Sequence, residues 1–324
     1  MKAVLCKQFG SPENLVVETV PYPTAGEGEA VIAVAAVGLN FFDTLIIQGK
    51  YQFKPAFPFS PGAEVAGVVK SVGGNAQGLA PGDRVVAFTG WGGACEAISV
   101  PVARIVKLPD EVSFEMAAAL TVTYGTTLHA LADRGRLKPG ENLVVLGAAG
   151  GTGQAAIEIG KLMGARIIAC ASSPDKLEFC RSIGADATID YTQDNLKDAI
   201  RMATGGQGAD VVYDPVGGDL AEPALRAMAW GGRYLVIGFA SGAVPRLPLN
   251  LVLLKGCEIV GVFWGSHVER EPEAHRANVR KLVAWCAEGR IRPHIHGTYT
   301  LDQAPDALRA IERREVKGKA ILVV

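Results

Sequence analysis

Two textures of apolar spacing divide the chain. Up to about residue 120, short runs of β-branched and small apolar residues are each broken by Gly or Pro, as in Ala30-Val31-Ile32-Ala33-Val34, Val65-Ala66-Gly67-Val68-Val69 and Arg84-Val85-Val86-Ala87-Phe88. Runs of this length between turn residues predict the strands of a small, mostly antiparallel, barrel-like domain. One short helix is expected near residues 41–47.

From about residue 141 the pattern becomes a strand-helix alternation. Leu143-Val144-Val145-Leu146 reads as a buried strand, followed by a Gly-rich turn and a helix over 153–163. Arg166-Ile167-Ile168-Ala169-Cys170 and Ala187-Thr188-Ile189-Asp190 are strands, each leading into a helix, over 174–183 and 194–202. The first of these helices opens on Pro174, whose missing N–H is no loss in a first turn. Asp210-Val211-Val212-Tyr213-Asp214 and Arg233-Tyr234-Leu235-Val236-Ile237 flank a further helix, and Glu258-Ile259-Val260-Gly261-Val262-Phe263 closes the series. Apolar strands of this length alternating with helices predict a doubly wound parallel sheet of the Rossmann kind, six strands wide. A helix over 272–288, a strand over 294–300, a helix over 305–314 and a strand over 320–324 follow. This tail is expected to return and complete the first domain.

Length and composition agree with that reading. A chain of 324 residues accommodates two domains. With 49% hydrophobic and 20% charged residues it is globular rather than disordered, and a formal net charge of −1 argues against nucleic acid or an anionic membrane as partner. Glycine is enriched, at 39 residues, which points to tight turns and close backbone approaches. No apolar run approaches the ~20 residues of a membrane span, and Met1-Lys2-Ala3-Val4-Leu5-Cys6 has no leader-like apolar region. The six cysteines are scattered without a C-x-x-C pair, as expected for reduced, buried thiols of a cytoplasmic protein.

The most informative stretch is Leu146-Gly147-Ala148-Ala149-Gly150-Gly151-Thr152-Gly153, after a strand and opening a helix. It aligns with G-x-G-x-x-G as Ala148-x-Gly150-x-x-Gly153. Small residues there let a pyrophosphate reach backbone N–H groups at a helix N-terminus, where the dipole favours negative charge. Gly150 permits that approach, Gly153 permits close helix–strand packing, and Gly151 and Thr152 bring the first-turn amides. At the tip of the second strand, where NAD-binding chains place an acid for the ribose 2′-hydroxyl, stand Ser172 and Ser173, with Lys176 following. Hydroxyl donors and a cation favour a 2′-phosphate, so NADPH is the expected cofactor. Tyr191, past the third strand, is placed to lean over the same phosphate.

Three further segments carry a resemblance. Val37-Gly38-Leu39-Asn40-Phe41-Phe42-Asp43, Pro61-Gly62-Ala63-Glu64-Val65-Ala66-Gly67 and Gly78-Leu79-Ala80-Pro81-Gly82-Asp83-Arg84-Val85 resemble signatures of the medium-chain dehydrogenase/reductase superfamily. That resemblance spans essentially the whole chain. It implies a GroES-like catalytic domain, over 1–120 and 265–324, split around a Rossmann domain over 121–264. Zinc alcohol dehydrogenases of the superfamily carry Cys where this chain has Asn40 and G-H-E where it has Gly62-Ala63-Glu64. Only Cys95 lies where a structural zinc would need four cysteines. No zinc is therefore expected, and His294-x-His296 reads as a polar strand face. Asn40, the Gly49-Lys50-Tyr51 turn, Thr123-Tyr124-Gly125-Thr126-Thr127, the Gly-rich fingerprint and Gly289-Arg290-Ile291-Arg292-Pro293 resemble the zinc-independent quinone oxidoreductases of the zeta-crystallin type.

A quinone accepts hydride without a Lewis acid, so the protein has mainly to orient acceptor and cofactor and exclude water. Asn40 is a candidate amide donor to a developing oxyanion, or alternatively a turn cap. Tyr51 and Thr127 are the candidate hydroxyls for hydrogen bonding or proton delivery. Gly238 and Phe239 lie at a strand end where such sheets bind ligands. Phe263 and Trp264 line the nicotinamide side or pack in the core. The resemblance also implies a basic residue from the tail, Lys317 or Lys319, at the 2′-phosphate, and a homodimer through the last Rossmann strand, whose open edge invites pairing. Two other readings are a reductase of activated C=C bonds, enone or enoyl-CoA, and a non-enzymatic NADPH-binding structural or RNA-binding protein. For the CoA ester, Arg276, Arg280, Lys281, Arg290 and Arg292 offer charges that read better as a solvated face. The neutral balance counts against RNA.

Overall fold

A computed structural model describes residues 1–76 and 78–324. The chain forms two compact units, Met1–Gly125 with Gly265–Val324, and Thr126–Trp264. The first break therefore falls at Gly125 rather than at residue 120.

The first unit opens with an antiparallel ribbon of β1 (Lys2–Leu5) and β2 (Val16–Thr19). Its spine is β3 (Glu29–Leu39), which leads through Asn40 into α1 (Phe41–Ile47). β4 (Glu64–Val72), β5 (Arg84–Phe88), β6 (Ala97–Pro101) and β7 (Ile105–Lys107) follow, then α2 (Phe114–Ala117) and the start of α3 (Thr123–Leu128). β3 runs on well past the Ala30–Val34 run, because Ala36 on one face and Val37 and Leu39 on the other are all buried. Its first half pairs with β6 and nearly its whole length with β4, both antiparallel.

The second unit holds β8 (Asn142–Leu146), α4 (Gly151–Leu162), β9 (Arg166–Ala171), α5 (Pro174–Ser182), β10 (Ala187–Asp190) and α6 (Leu196–Ala203). It continues with β11 (Ala209–Asp214), α7 (Ala221–Arg226), β12 (Met228–Val236), α8 (Asn250–Lys255) and β13 (Glu258–Gly261). The sheet order is β10-β9-β8-β11-β12-β13, with every pair parallel. This is the doubly wound order whose reversal lies between β8 and β11, and ligands bind such sheets outside the strands' carboxyl ends. Val144, Leu146, Ile168, Cys170, Val212 and Tyr234 anchor one core. β13 stops at Gly261, short of the apolar run that extends to Phe263.

Beyond α9 (Trp264–Arg270) and α10 (Pro272–Ala287), the tail adds β14 (Ile295–Tyr299), α11 (Ala304–Glu312) and β15 (Lys319–Val323) to the first unit. β15 pairs antiparallel with the second half of β3, Ala320 opposite Leu39. All six cysteines are buried, and none forms a disulfide. Among the described residues, no helix is long and apolar enough to cross a membrane.

Candidate functional site

In the second unit, β8 ends at Leu146 and the chain reverses through Gly147, at φ +58°, into α4. Gly153 is required by the fold itself: a Cβ there would lie 2.5 Å from Gly147 O and 2.6 Å from Ala148 Cα. Gly150 is not. It is the N-cap of α4, at φ −76° and ψ 170°, and its Cβ would find nothing nearer than Gly147 O at 3.4 Å. A glycine that the chain's own packing does not need leaves a cradle for a ligand. No side chain caps the first-turn amides of α4 at Gly151, Thr152 and Gly153. Such amides with a helix dipole behind them fit a pyrophosphate.

The tip of β9 carries Ser172 and Ser173 into α5. Ser173 Oγ accepts the Lys176 N–H at 3.4 Å as the helix cap, which leaves its own O–H to donate. Ser172, Ser173 and Lys176 are all half-buried, as is Tyr191, which packs against the core beneath β10. No acid occupies the strand tip. Asp175 lies in the first turn of α5.

At the carboxyl ends of β11 and β12, two loops are zipped together. Ile237 N–H donates to Asp214 O at 2.9 Å, Ala240 N–H to Pro215 O at 3.0 Å, Ser241 N–H to Val216 O at 2.9 Å and Gly218 N–H to Ala243 O at 3.1 Å. Asp214 Oδ1 takes the Val216 and Gly217 N–H groups, both at 2.8 Å, and Oδ2 takes the Tyr234 hydroxyl at 2.5 Å. Burial pushes the Asp214 carboxyl up, against those donors. Gly217, at φ +65°, lies so close to Phe239 that its Cβ would meet the ring at 2.8 Å. The two loops thus form one platform presenting Gly238 and the exposed Phe239. Beyond β13, Phe263 is half exposed while Trp264 is buried.

The first unit contains a buried polar centre where the ends of three strands converge. The β3–β4 register sets Glu64 opposite Gly38, and the β15 register carries Lys319 alongside Asn40. Gly38 makes room for the carboxylate, since a Cβ there would lie 2.8 Å from Glu64 Cγ. Glu64 Oε2 accepts the Thr121 hydroxyl at 2.6 Å and the Val122 N–H at 2.8 Å. Its Oε1 accepts Asn40 Nδ2 at 3.0 Å and also the Lys319 ammonium. Lys319 Nζ donates in addition to Asn40 Oδ1 at 2.5 Å. Beside them Asp43 accepts the Asn40 N–H at 2.7 Å and the Gly62 N–H at 2.9 Å. Burial raises the Asp43 carboxyl to about 6. Tyr51 stacks on Phe42, with centroids 5.2 Å apart, and lies 6.0 Å from Phe53. Burial, then the Asp43 charge, push its phenol up.

Three sequence-based expectations change. Lys319 does not offer a cation to a 2′-phosphate: it is 4% exposed and bound to Glu64 and Asn40. Thr127 is not an accessible hydroxyl: it is fully buried in the second unit, 2.8 Å from the Tyr213 hydroxyl and 3.4 Å from Thr152 O. Asn40 directs its amide hydrogens inward, to Glu64 and, at 3.4 Å, to Gly38 O, instead of toward a substrate oxygen. Glu64 joins this centre through strand register and Thr121 through the fold, which residue-by-residue reading passes over, whereas Asp43 joins locally, as the capping-box partner of Asn40 at the start of α1.

Nor do these residues fit a zinc ion. An amide stands at position 40, a methyl at position 63, and the Lys319 ammonium lies between Asn40 and Glu64. Zinc sites use thiolate, imidazole or carboxylate ligands and exclude a cation at bonding distance.

Comparison with known proteins is consistent with both halves. Residues 26–110 match the family described as alcohol dehydrogenase GroES-like domain, and residues 151–284 match zinc-binding dehydrogenase. The chain is 38% identical to quinone oxidoreductase-like protein 2 homolog of Nematostella vectensis, over 99% of this chain and 88% of that one. Its structure matches a quinone oxidoreductase of Pseudomonas syringae with TM-score 0.93 and 32% identity, covering 100% and 99% of the two chains. It also matches the Escherichia coli quinone oxidoreductase complexed with NADPH, with TM-score 0.93, 28% identity and 100% of each chain covered.

Proposed function

This chain belongs to the quinone oxidoreductase family of the medium-chain dehydrogenase/reductase superfamily, and we propose that it reduces quinones with NADPH, without a metal ion. The observation that carries this reading is a pair of positions in the second unit: a Gly150 cradle that the fold does not require, and a β9 tip with Ser172, Ser173 and Lys176 in place of an acid. The first suits a pyrophosphate and the second a 2′-phosphate. Tyr191 flanks the same phosphate, and the zipped loops bring Gly238 and Phe239 to the cofactor, with Phe263 beyond them. NADPH, when bound, supplies the hydride.

The protein's own groups then orient the acceptor and settle its charge. The Phe42, Tyr51 and Phe53 rings form an aromatic cluster suited to packing against a planar quinone. The Tyr51 hydroxyl, its phenol held protonated by burial, donates to the quinone oxygen as negative charge develops there. Asn40 and Asp43 shape the start of α1 behind that ring. A quinone is electrophilic enough to accept hydride with hydrogen bonding alone, so the reaction has no need of a Lewis acid.

The protein acts as a homodimer in this reading. β13 leaves one edge of the parallel sheet unpaired. Beside it, Trp230 is 81% exposed and Leu253 79%, and the indole lies against Gly256. A second copy pairing at that edge covers both. Six buried cysteines that form no disulfide support a cytoplasmic site of action.

The test is oxidation of NADPH by EDTA-treated protein offered an ortho-quinone, an enone and an enoyl-CoA in parallel. Turnover of the quinone alone supports the proposal. Turnover of an alkene alone assigns the protein to the C=C reductases. Tight NADPH binding with no turnover of any acceptor sinks the enzymatic reading.

A further inference from the structure

Lys319, Glu64 and Asn40 are 4%, 0% and 8% exposed and come from three different strand ends. A buried carboxylate is strongly unfavourable unless paired and hydrogen-bonded. Glu64 is both, with Thr121 and Val122 on one oxygen and Asn40 and Lys319 on the other. The ammonium also decides which way the Asn40 amide faces. An ammonium only donates, so the atom 2.5 Å from it is Oδ1, and the amide nitrogen is turned to Glu64. Positions 40 and 62–64 are those at which zinc alcohol dehydrogenases carry Cys and G-H-E.

We infer that the Lys319 ammonium is a built-in cation that takes the place of a metal ion in the catalytic unit: it neutralises Glu64, fixes the Asn40 amide and leaves no room or charge for zinc. Lys319 is thus a positioning residue acting through Asn40, whose own backbone N–H is held by Asp43 at the start of α1. A chain that lost the thiolate and imidazole but kept the buried Glu64 needs another counter-charge, and strand β15 delivers it. The inference does not rest on which acceptor the enzyme uses.

The experiment compares the full-length wild type with Lys319→Met, Glu64→Gln and the double variant. Lys319→Met leaves Glu64 buried and unpaired, so its melting midpoint falls by about 10 °C. Adding Glu64→Gln to it restores most of the loss. A double variant that loses as much as the two single variants together overturns the pairing. NADPH and NADH affinities of Lys319→Met change by the same factor, whereas a loss of about tenfold or more confined to NADPH overturns the inference and returns Lys319 to the 2′-phosphate. Should Lys319→Met fail to fold, the wild type decides through zinc chloride titration. Only trace zinc after desalting is expected. One tightly held zinc per chain, lost in Glu64→Gln, overturns the inference.

Discussion

Gly150 and Gly153 stand three residues apart in one turn, yet substitution by Ala has opposite consequences. At Gly153 the new Cβ would lie 2.5 Å from Gly147 O and 2.6 Å from Ala148 Cα and Ala148 O. These are backbone atoms of the turn between β8 and α4, so no rotamer change relieves the overlap. Overpacking of this kind costs about 1–3 kcal/mol, which at about 2–4 °C per kcal/mol lowers the melting midpoint by about 2–12 °C. At Gly150 the nearest atom is 3.4 Å away and the backbone, at φ −76° and ψ 170°, suits any L-residue. Replacing a glycine N-cap by Ala costs under about 1 kcal/mol, so that variant melts within about 3 °C of wild type. Its methyl group stands where a pyrophosphate must approach the first-turn amides. Losing one or two such hydrogen bonds to a charged group weakens NADPH about 10–100-fold. Thermal melts without cofactor and fluorescence titration with NADPH separate the two effects. Gly150→Ala binding NADPH within about twofold of wild type would refute the placement of the pyrophosphate on α4. Gly153→Ala melting unchanged would refute the packing argument.

Lys176→Ala is expected to weaken NADPH about tenfold or more while leaving NADH nearly unaffected, and equal losses on titration would remove Lys176 from the 2′-phosphate. Thr127→Val leaves the buried Tyr213 hydroxyl without its 2.8 Å partner, so urea unfolding should show a loss of about 1–3 kcal/mol with kcat close to wild type. A large fall in kcat at unchanged stability would instead make Thr127 catalytic. His275 is held down to about 4 from an ordinary 6.5 by burial, then by His267 and Arg104. Because the folded form takes its proton later than the unfolded form, stability is complete above about pH 6.5 and is lost as pH falls toward 4, by roughly 3 kcal/mol. His275→Gln should flatten unfolding free energy against pH over that window, and an unaltered slope would show that another group carries it.

Much of the second unit was legible residue by residue. Its strands are short apolar runs, its helices open on recognisable residues such as Pro174, and the phosphate-binding turn is contiguous. Local chemistry and local structure coincide there, so reading along the chain reaches the site directly. Distinguishing Gly150 from Gly153 was only partly within reach, because what a Cβ would meet depends on how closely α4 lies against its own turn.

The first unit shows the reverse. The sequence alone established that the zinc ligands are absent, since the identities of Asn40 and Ala63 suffice for that. It could not say where Lys319 goes. A tail lysine reads as a surface cation, and burial of its ammonium makes sense only beside a carboxylate brought from far along the chain. Glu64 becomes that partner because β3 pairs with β4 on one side and β15 on the other, setting Glu64, Asn40 and Lys319 at one end of the sheet. Thr127 was misplaced for a similar reason: its hydroxyl is claimed by Tyr213 of β11, a neighbour supplied by sheet packing. Apolar periodicity and turn residues are local properties and can be read from sequence. Which buried polar group satisfies which other is decided by strand register and burial, and these exist only once the chain has folded.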